Sequence, residues 1–456
     1  MPDFDLTVVG SGPGGYVAAI HAARRGARVA IVEEKEWGGT CLNLGCIPTK
    51  ALIQSAEVLA LARRAAEFGV NIPSAEPDWP VMQGRKDKVV AGMRNGVQSL
   101  LRSNGIELVT GRGQLAGGAK VAVDGRDLGA TNILLAPGSV PARPPIPGIE
   151  YGLTSDDILA IREIPSSLVI VGGGVVGMEF AGIFNTLGTR VTVIEMLDQL
   201  LTPLDPDVAS RFQQLMTRRG IEFNLSSRVE GIEKGDSSFR VKFEGRQLDA
   251  DVVLVATGRV PATDNMGIDE AGVVRERRAV KVDGHLRTTV PNVFAIGDAT
   301  MISMLAHTAS YQGEIAVANA LGKSITADYR AIPAGVYTDP EIAFVGLSEA
   351  QARAAGETVK VGSFPFSALG RAQVLGETAG MVKLVTDGGG YLLGGTVMGP
   401  RATDLIAEIA LALSQGLTAS ELAHTVHAHP TLPEAIFEAA LDVDGDAIHI
   451  APRKRS

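Results

Sequence analysis

The amino-acid sequence predicts an α/β protein in which two doubly wound, Rossmann-like domains come before a C-terminal α+β domain. Three observations support this prediction. A strand, glycine turn, helix and strand pattern occurs twice, the 54 glycines cluster at apparent strand–helix junctions, and residues 334–456 mix strand-like and helical patterns. Glycine permits the tight turns and close backbone approaches that such junctions need. A chain of 456 residues is long enough for about three domains of roughly 100–200 residues each.

The repeated pattern covers residues 6–33 and 168–195, so every position of the second copy lies 162 residues after its counterpart in the first. The matching glycines are Gly10, Gly12 and Gly15 in the first copy and Gly172, Gly174 and Gly177 in the second. In a G-x-G-x-x-G turn the first glycine allows the turn, the second lets a pyrophosphate approach, and the third lets helix and strand pack closely. A single glycine turn is a weak indication, but two copies with flanking strands and helices predict two dinucleotide sites.

An acidic residue closes each copy, Glu33 in the first and Glu195 in the second. Such a carboxylate can accept both hydroxyls of a ribose, and it repels a 2′-phosphate. Glu195 therefore favours NAD over NADP at the second site. Two dinucleotide sites in one chain suggest electron transfer between two cofactors.

The two cysteines, Cys41 and Cys46, follow the first copy directly, in the segment GGTCLNLGCIPTK at 38–50. A single pair cannot brace a chain of this size, so a catalytic, redox-sensing or metal-binding role is favoured over a static disulfide. Beyond Pro48 the pattern predicts a helix from Lys50 into Ala62. A cysteine near a helix N-terminus has a lowered thiol pKa and can act as a thiolate.

Charge and hydropathy exclude several classes of protein. The net charge is −9, and basic residues are scattered apart from the tail Arg453-Lys454-Arg455, so we expect no nucleic-acid partner. The N-terminus has no basic and apolar leader, and the longest apolar run, Leu168 to Phe184, contains five glycines and Glu179. We therefore expect a cytoplasmic protein without a membrane partner.

The cysteine segment resembles the active-site motif of the class I pyridine nucleotide-disulfide oxidoreductases, and its wording is most similar to the dihydrolipoamide dehydrogenase branch of that family. The resemblance extends over essentially the whole chain. Its further motifs are TTVPNVFAIGDAT at 288–300, LLAPGS at 134–139 (with Pro137 where threonine is usual), LVATGR at 254–259, YTDPEIAFVG at 337–346 and HAHPTLPEA at 427–435.

The resemblance implies a role for each residue of the redox centre. Cys41 would exchange with the substrate sulfur, and Cys46 would lie against the flavin as a charge-transfer thiolate. Lys50 would approach the redox-active nitrogen of the flavin and pair with Glu179. The alternatives are a surface lysine and an ordinary polar helix position.

The resemblance also makes His429 and Glu434 a catalytic dyad, contributed by the other subunit of a homodimer. Thiol–disulfide exchange needs a group that removes and returns a proton, and a histidine oriented by a carboxylate suits that task near neutral pH. Pro430 and Pro433 argue against a regular helix over 427–433. His424 and His427 invite a metal interpretation, but their spacing matches no zinc pattern, so we expect structural roles and no metal.

The cofactor contacts that the resemblance implies fall into two sets. For FAD they are Gly10, Gly12, Gly15, Glu33, Thr40, Lys50, Gly113, Ser139, Gly297, Asp298 and Ala306. For NAD they are Gly172, Gly174, Gly177, Glu195, Val229 and Gly258. His307 stands where family members place backbone near the flavin ring, although Thr308 and Ser310 replace the usual lysine and glutamate.

The motifs divide the sequence into four predicted parts. They are the first part of an FAD-binding domain at 1–145, an NAD-binding domain at 146–263, the FAD-binding and central region at 264–333, and a dimerisation domain at 334–456. The last part contains the strand-like runs GMVKLVTD and LLGGTVMG and an apolar helix at 404–414, which suits either dimer contact or core burial.

The implied activity is oxidation of protein-bound dihydrolipoamide to lipoamide, with FAD and NAD⁺ carrying the electrons. The partner would be a lipoyl-bearing protein of a 2-oxoacid dehydrogenase complex or of the glycine-cleavage system. Glutathione, mycothiol, trypanothione and Hg(II) are alternative substrates. The sequence has no second cysteine pair of the kind that mercuric and large thioredoxin reductases use. A non-catalytic FAD-binding subunit is the alternative from another class.

Overall fold

A computed structural model describes residues 2–117 and 119–451. The chain divides into two compact units, the first formed by Met1–Pro144, Leu153–Ile164 and Thr257–Ala327, the second by Pro145–Gly152, Pro165–Ala256 and Asp328–Ser456. The basic tail at 453–455 lies outside the described residues. The four predicted domain boundaries stay predictions.

The strands of the described chain are numbered in chain order. They are β1 Phe4–Val9, β2 Val29–Glu33, β3 Glu107–Thr110, β4 Gly113–Leu115, β5 Lys120–Val123, β6 Arg126–Leu135, β7 Ser139–Pro141, β8 Ser167–Val171, β9 Arg190–Ile194, β10 Glu222–Asn224, β11 Val229–Lys234, β12 Phe239–Phe243, β13 Arg246–Ala250, β14 Val252–Val255, β15 Arg259–Pro261, β16 Arg275–Glu276, β17 Ala279–Val280, β18 Val293–Ala295, β19 Ala334–Val336, β20 Glu341–Gly346, β21 Lys360–Pro365, β22 Met381–Thr386 and β23 Leu392–Gly399.

The helices are numbered in the same way, and short 3-10 turns supplement them. The α-helices are α1 Pro13–Ala23, α2 Gly39–Leu44, α3 Cys46–Arg63, α4 Trp79–Ser103, α5 Ser155–Ile158, α6 Val175–Thr186, α7 Pro206–Arg218, α8 Ala306–Ala320, α9 Glu349–Ala354, α10 Gly370–Leu375, α11 Ala402–Ser414, α12 Ala419–Ala423 and α13 Glu434–Asp442. The 3-10 turns are Ala65–Phe68, Ile149–Tyr151, Gly297–Thr300 and Phe366–Ala368.

The first unit is built on a parallel sheet in the order β3-β2-β1-β6-β18, and a hairpin of β4 and β5 continues from the first half of β6. Apolar side chains cover both faces of this sheet. Helices α1 and α4 bury Ala18 and Leu101 on one face, while Leu115 and Val121 belong to the core on the other. A parallel sheet needs this cover because both of its faces are apolar.

The second unit contains three sheets. A parallel sheet has the order β10-β9-β8-β14, a small antiparallel sheet has the order β11-β12-β13, and a five-stranded antiparallel sheet has the order β19-β20-β23-β22-β21. Helices α11 and α13 bury Ile409 and Ile436 in the core of the five-stranded sheet, together with Phe364 and Phe366. The predicted α+β character of the C-terminal region is confirmed. The apolar helix of that region serves the core of its own unit, although Leu411 remains exposed.

The repeated pattern is confirmed as a repeated structure, β1-α1-β2 in the first unit and β8-α6-β9 in the second. The predicted start of the helix after the cysteines is wrong, because α3 begins at Cys46 rather than at Lys50. Pro48 stands in the first helical turn, where a residue needs no N–H for the helix. Residues 39–63 also meet length and hydropathy criteria for a membrane span, but 44% of the apolar window is buried, and core helices pass the same test.

Candidate redox and cofactor sites

Both glycine turns have the backbone that the motif requires. Gly10 and Gly172 adopt φ of 101° and 115°, a backbone conformation that residues with a Cβ rarely adopt. A Cβ on Gly15 would lie 1.9 Å from the carbonyl oxygen of Gly10, and a Cβ on Gly177 would lie 2.1 Å from that of Gly172. The close approach of helix to strand therefore excludes any side chain at the third glycine.

The middle glycines open the space that a pyrophosphate would occupy. Gly12 and Gly174 are the N-caps of α1 and α6, and no side chain caps either helix. A Cβ on either glycine would meet no atom within 4 Å. The free N–H groups of the first helical turn and the helix dipole favour an anion there. Both turns thus fit the phosphates of a dinucleotide.

The acid at the end of each repeat is held by hydrogen bonds to its own glycine turn. Glu33 Oε2 accepts from the backbone N–H (2.9 Å) and the hydroxyl (2.6 Å) of Ser11, and Glu195 Oε2 accepts from the N–H of Gly173 (2.6 Å). The second oxygen of each acid accepts the N–H two residues onward, from Lys35 or Leu197. A carboxylate oxygen has room for another donor, so both acids can still receive ribose hydroxyls.

Ser11 also belongs to the first nucleotide site, although no motif of the sequence predicted it. Its hydroxyl is buried, donates to Glu33 and accepts from the backbone N–H of Gly38 at 3.0 Å. The hydroxyl thereby links the first glycine turn to the segment that leads to the cysteines. A comparison of the two copies could have found it, because Ser11 stands where the second copy has Gly173.

The structure brings Ser139 and Asp298 together in the first unit, and their predicted contacts with FAD stay predictions. Asp298 lies in the 3-10 turn after β18, and its Oδ2 accepts from the hydroxyl of Ser139 at 2.5 Å. Arg259 donates through Nε to the Ser139 hydroxyl and through Nη2 to the Ser139 carbonyl oxygen, both at 2.8 Å. The antiparallel pairing of β7 with β15 produces this arrangement. Arg259 was also missed, although it ends the LVATGR motif.

The remaining predicted cofactor residues lie on separate elements. Thr40 is in α2, Lys50 is in α3, and Ala306 begins α8. Gly113 lies in β4, where a Cβ would be 2.9 Å from a methyl group of Val9, so it is packed in the core. In the second unit, Val229 begins β11 and Gly258 has a φ of 109°. Their cofactor contacts stay predictions.

The two cysteines are thiols that face each other across a sharp turn. Helix α2 ends at Leu44, Gly45 follows, and Cys46 begins α3. A Cβ on Gly45 would lie 3.2 Å from the Cα of Cys41, which shows how tightly the turn folds back. The hydrogen bond between the Cys41 and Cys46 side chains, together with burial, raises the pKa of the Cys41 thiol above its usual range.

The expectation of a lowered thiol pKa therefore does not extend to Cys41. The cysteine at a helix N-terminus is Cys46, the first residue of α3, whereas Cys41 lies inside α2. A thiolate on Cys46 that accepts a hydrogen bond from Cys41 disfavours a second negative charge beside it. Cys41 therefore keeps its proton in the reduced pair.

Glu179 is buried on α6 and accepts the backbone N–H of Tyr337 at 3.1 Å. This contact lies within the second unit and joins α6 to the segment after β19. The sequence could not predict this contact, because the donor is a backbone N–H and every residue except proline has one. The predicted pairing of Glu179 with Lys50 stays a prediction.

His429 and Glu434 form the predicted pair. His429 Nδ1 lies 2.8 Å from Glu434 Oε1, and Glu434 Oε2 accepts the N–H of Thr431 at 2.7 Å. Burial opposes ionisation of Glu434, but the hydrogen bonds from Thr431 and His429 outweigh it and lower the pKa of the Glu434 carboxyl. Because an ionised carboxylate only accepts, Nδ1 carries a proton and Nε2 is the basic nitrogen. The His429 side chain is 77% exposed, and the segment before α13 is non-helical, as predicted.

The neighbouring histidines have protein partners of their own. His427 Nε2 lies 2.7 Å from Glu408 Oε1, and His424 Nδ1 lies 2.6 Å from the carbonyl oxygen of Ser420. Within residues 2–117 and 119–451, no group of three or more His, Cys, Asp or Glu side chains is placed to hold a metal ion.

Comparisons with known proteins agree with this geometry. Residues 4–313 match the family model for pyridine nucleotide-disulphide oxidoreductases, and residues 332–440 match the dimerisation domain of that family. The chain is 43% identical to a dihydrolipoyl dehydrogenase of Chlamydia muridarum over 99% of each chain. It is 40% identical to a dihydrolipoyl dehydrogenase of Bacillus subtilis, over 97% of this chain and 99% of the relative.

A solved structure is similar over nearly the whole chain. It is the Cu(II) complex of the HOCl-induced flavoprotein disulfide reductase RclA from Escherichia coli, which superimposes with a TM-score of 0.88 at 29% identity, covering 96% of this chain and 99% of that one. Together with the two family matches and the full-length relatives, this similarity shows that the chain belongs to the pyridine nucleotide-disulphide oxidoreductase family.

Proposed function

We propose that this protein is a dihydrolipoyl dehydrogenase, which oxidises dihydrolipoamide through the Cys41–Cys46 pair and FAD and reduces NAD⁺ to NADH. The observation that carries the proposal is the coexistence of a facing cysteine pair and a carboxylate-oriented histidine in a chain that is 40–43% identical to dihydrolipoyl dehydrogenases along its length.

His429 is the proton-transfer group of the proposed reaction. Nδ1 faces Glu434, so Nε2 is free to take a proton from a dihydrolipoamide thiol. The resulting thiolate attacks the sulfur of Cys41 in the oxidised pair, and the bond between the two cysteine sulfurs breaks with Cys46 leaving as a thiolate. The second substrate thiol loses its proton to solvent and attacks the substrate sulfur of the mixed disulfide, which forms the ring of lipoamide and returns the electron pair of the broken bond to Cys41.

The raised pKa of Cys41 supports this order of events. The proton that His429 took from the substrate returns to Cys41, which holds it in the reduced pair, while Cys46 remains the thiolate. When bound, FAD would supply the acceptor for the electron pair of the dithiol and the hydride donor for NAD⁺. The residues for the two nucleotides are the Gly12 turn with Glu33 and the Gly174 turn with Glu195.

The homodimer follows from the match of residues 332–440 to the dimerisation domain of the family. In the proposed dimer, His429 of one protomer serves the cysteine pair of its partner. The physiological substrate is a lipoyl group on a separate carrier protein of a 2-oxoacid dehydrogenase complex or the glycine-cleavage system. The proposed location is the cytoplasm.

Anaerobic spectrophotometry of the purified protein tests the proposal. Dihydrolipoamide should produce a long-wavelength absorbance band of thiolate against oxidised flavin, and NAD⁺ should then discharge that band with stoichiometric NADH. Cys46→Ser should abolish both signals. Replacing NAD⁺ by NADP⁺ is the matched control, and Glu195 predicts much slower discharge.

Other disulfide substrates give distinguishable results. If dihydrolipoamide leaves the flavin oxidised while NADH with glutathione disulfide or mycothiol disulfide turns over, the family activity stands and the lipoamide assignment is wrong. A yellow protein inert to all of these substrates would instead be a non-catalytic FAD-binding subunit.

A further inference from the structure

We propose that Arg94, on helix α4 and outside every motif of the sequence, is a positioning residue for the redox-active cysteines; this inference rests on the proposed function. Arg94 Nε donates to Asn43 Oδ1 at 2.8 Å, and Arg94 Nη1 lies 2.8 Å from Glu36 Oε2. The Arg94 side chain is only 30% exposed. Asn43 lies between Cys41 and Cys46 in the sequence. The Arg94 guanidinium therefore binds directly to the segment that carries the two cysteines.

The side-chain amide of Asn43 connects Arg94 to the backbone that precedes Cys41, because it hydrogen-bonds to both. Its Nδ2 donates to the carbonyl oxygens of Gly39 at 2.9 Å and Trp37 at 3.0 Å. Because a guanidinium only donates, Arg94 fixes the carbonyl oxygen of the Asn43 amide toward α4 and its nitrogen toward the loop. Without Arg94 the amide loses its charge-assisted partner and its preferred orientation.

The segment that Asn43 holds connects the first glycine turn to Cys41. A Cβ on Gly39 would lie 2.5 Å from the Cα of Gly12, and the N–H of Gly38 donates to the Ser11 hydroxyl. One side of the segment is therefore fixed by the phosphate-binding turn and the other by Arg94. These two anchors set where α2 begins, and hence where Cys41 stands relative to Cys46.

Placement of α2 controls how readily the two sulfurs join. Closing the disulfide forms one S–S bond from the Cys41 thiol and the Cys46 thiolate and releases one proton and two electrons. Oxidised dithiothreitol, which is a cyclic disulfide, accepts the two electrons and takes up that proton and a second proton from solvent to become the dithiol. A loop held in the facing geometry raises the effective concentration of one sulfur at the other. Loss of one charged hydrogen bond should lower the equilibrium constant for closure by roughly tenfold, equivalent to about 30 mV.

The test is a thiol–disulfide equilibrium of the FAD-loaded dimer in anaerobic dithiothreitol buffers, quenched with iodoacetamide and read by mass spectrometry. Arg94→Met should shift the midpoint by about tenfold toward the dithiol and should speed alkylation of Cys41. The matched control is Arg85→Met, because Arg85 also lies on α4 but donates to the carbonyl oxygen of Ala51 in α3, beyond the cysteine loop (2.8 Å). It should keep the wild-type midpoint. FAD content and Tm show that each variant folds.

Asn43→Ala and the double variant with Arg94→Met complete the design. If Arg94 acts through Asn43, the two effects overlap and the double variant resembles Asn43→Ala. Additive effects, an unshifted Arg94→Met or an equal shift in Arg85→Met would overturn the proposal. The assay contains no lipoamide, so its outcome is separate from the proposed function, which fails only if dihydrolipoamide does not reduce the wild-type protein.

Discussion

Glu434 holds His429 through a single hydrogen bond, 2.8 Å between Oε1 and Nδ1, while its other oxygen is anchored by the backbone of Thr431. The carboxylate is thus held in place and can orient the largely exposed imidazole ring of His429. Its pKa lies below the usual range, so it stays ionised throughout the pH range in which thiol exchange is measured.

Replacing Glu434 by glutamine should therefore slow the chemistry without removing the histidine. The glutamine side chain would keep the shape and a hydrogen-bond acceptor but would lose the negative charge beside Nδ1 of His429. We expect reduction by dihydrolipoamide to slow by about 10²-fold in stopped flow, within the range for general acid–base catalysis. His424→Gln changes a nearby histidine whose Nδ1 contacts the carbonyl oxygen of Ser420, and this control variant should react at the wild-type rate. Equal losses in the two variants would contradict the dyad.

The raised pKa of Cys41 predicts an unusual pH profile for its alkylation. In the reduced protein, Cys41 is a thiol beside Cys46, so its reaction with iodoacetamide should keep accelerating above about pH 9. An ordinary thiol, with a pKa near 8.5, is already about three-quarters ionised at about pH 9, so its alkylation rate could rise by only about a third at higher pH. In Cys46→Ser the neighbouring thiolate is absent, and the profile should move to lower pH. Peptide mass spectrometry measures both profiles, and a wild-type plateau below about pH 9 would contradict the assignment.

The parts of the site that depend on local backbone geometry could be predicted from the sequence. The φ of Gly10 and the close approach at Gly15 follow from a short pattern, and repetition of that pattern identified the second turn at Gly172. The hydrogen bond between His429 and Glu434 was predictable only through the family resemblance of the HAHPTLPEA segment, because a spacing of five positions does not by itself bring two side chains together.

Contacts between distant elements could not be predicted in this way. Arg94 meets Asn43 across 51 positions, and Tyr337 meets Glu179 across 158 positions through a backbone N–H that carries no side-chain identity. Hydrogen-bond partners this far apart in sequence come together only when the elements that carry them pack in the folded chain. The start of α3 was predicted wrongly for a local reason. Pro48 suggested a helix that begins after it, but the first turn of a helix accommodates a proline, so α3 already begins at Cys46.

The two middle glycines offer a matched test of the two nucleotide sites. A valine at either position meets no protein atom at its Cβ and should be tolerated by the fold, but its side chain would fill the space assigned to phosphate. Gly12→Val should yield folded, colourless protein without FAD. Gly174→Val should remain yellow, keep reduction of the flavin by dihydrolipoamide and lose NADH formation. Absorbance spectra and NADH assays distinguish the two, and loss of FAD from Gly174→Val would contradict the assignment of the sites.

Lys383 is the cation of a buried charge cluster that we expect to stabilise the second unit. Its side chain is 5% exposed, and its Nζ lies 3.2 Å from Asp205 and 3.0 Å from both Asp207 and Glu349. Lys383→Met would leave the buried carboxylate of Asp205 without its cation, which should cost about 3 kcal/mol and lower the Tm by several degrees. The control is Lys360→Met, which breaks an exposed pair with Asp444 and should cost less than about 1 kcal/mol.

The pH dependence of this stabilisation has a definite sign at each end. Burial lowers the pKa of Lys383, but hydrogen bonds to Glu349 and Asp207 outweigh it and raise that pKa, so the contribution of the lysine is complete below about pH 10 and is lost above it. Burial raises the pKa of Glu349, but Lys383 and Arg353 outweigh it and lower that pKa, so its contribution is complete above about pH 5 and is lost on acidification. The Tm difference between wild type and Lys383→Met should therefore be constant from about pH 5 to about pH 9 and shrink below about pH 4. A difference that persists unchanged at about pH 3 would show that lost packing, and not the charge cluster, causes the destabilisation.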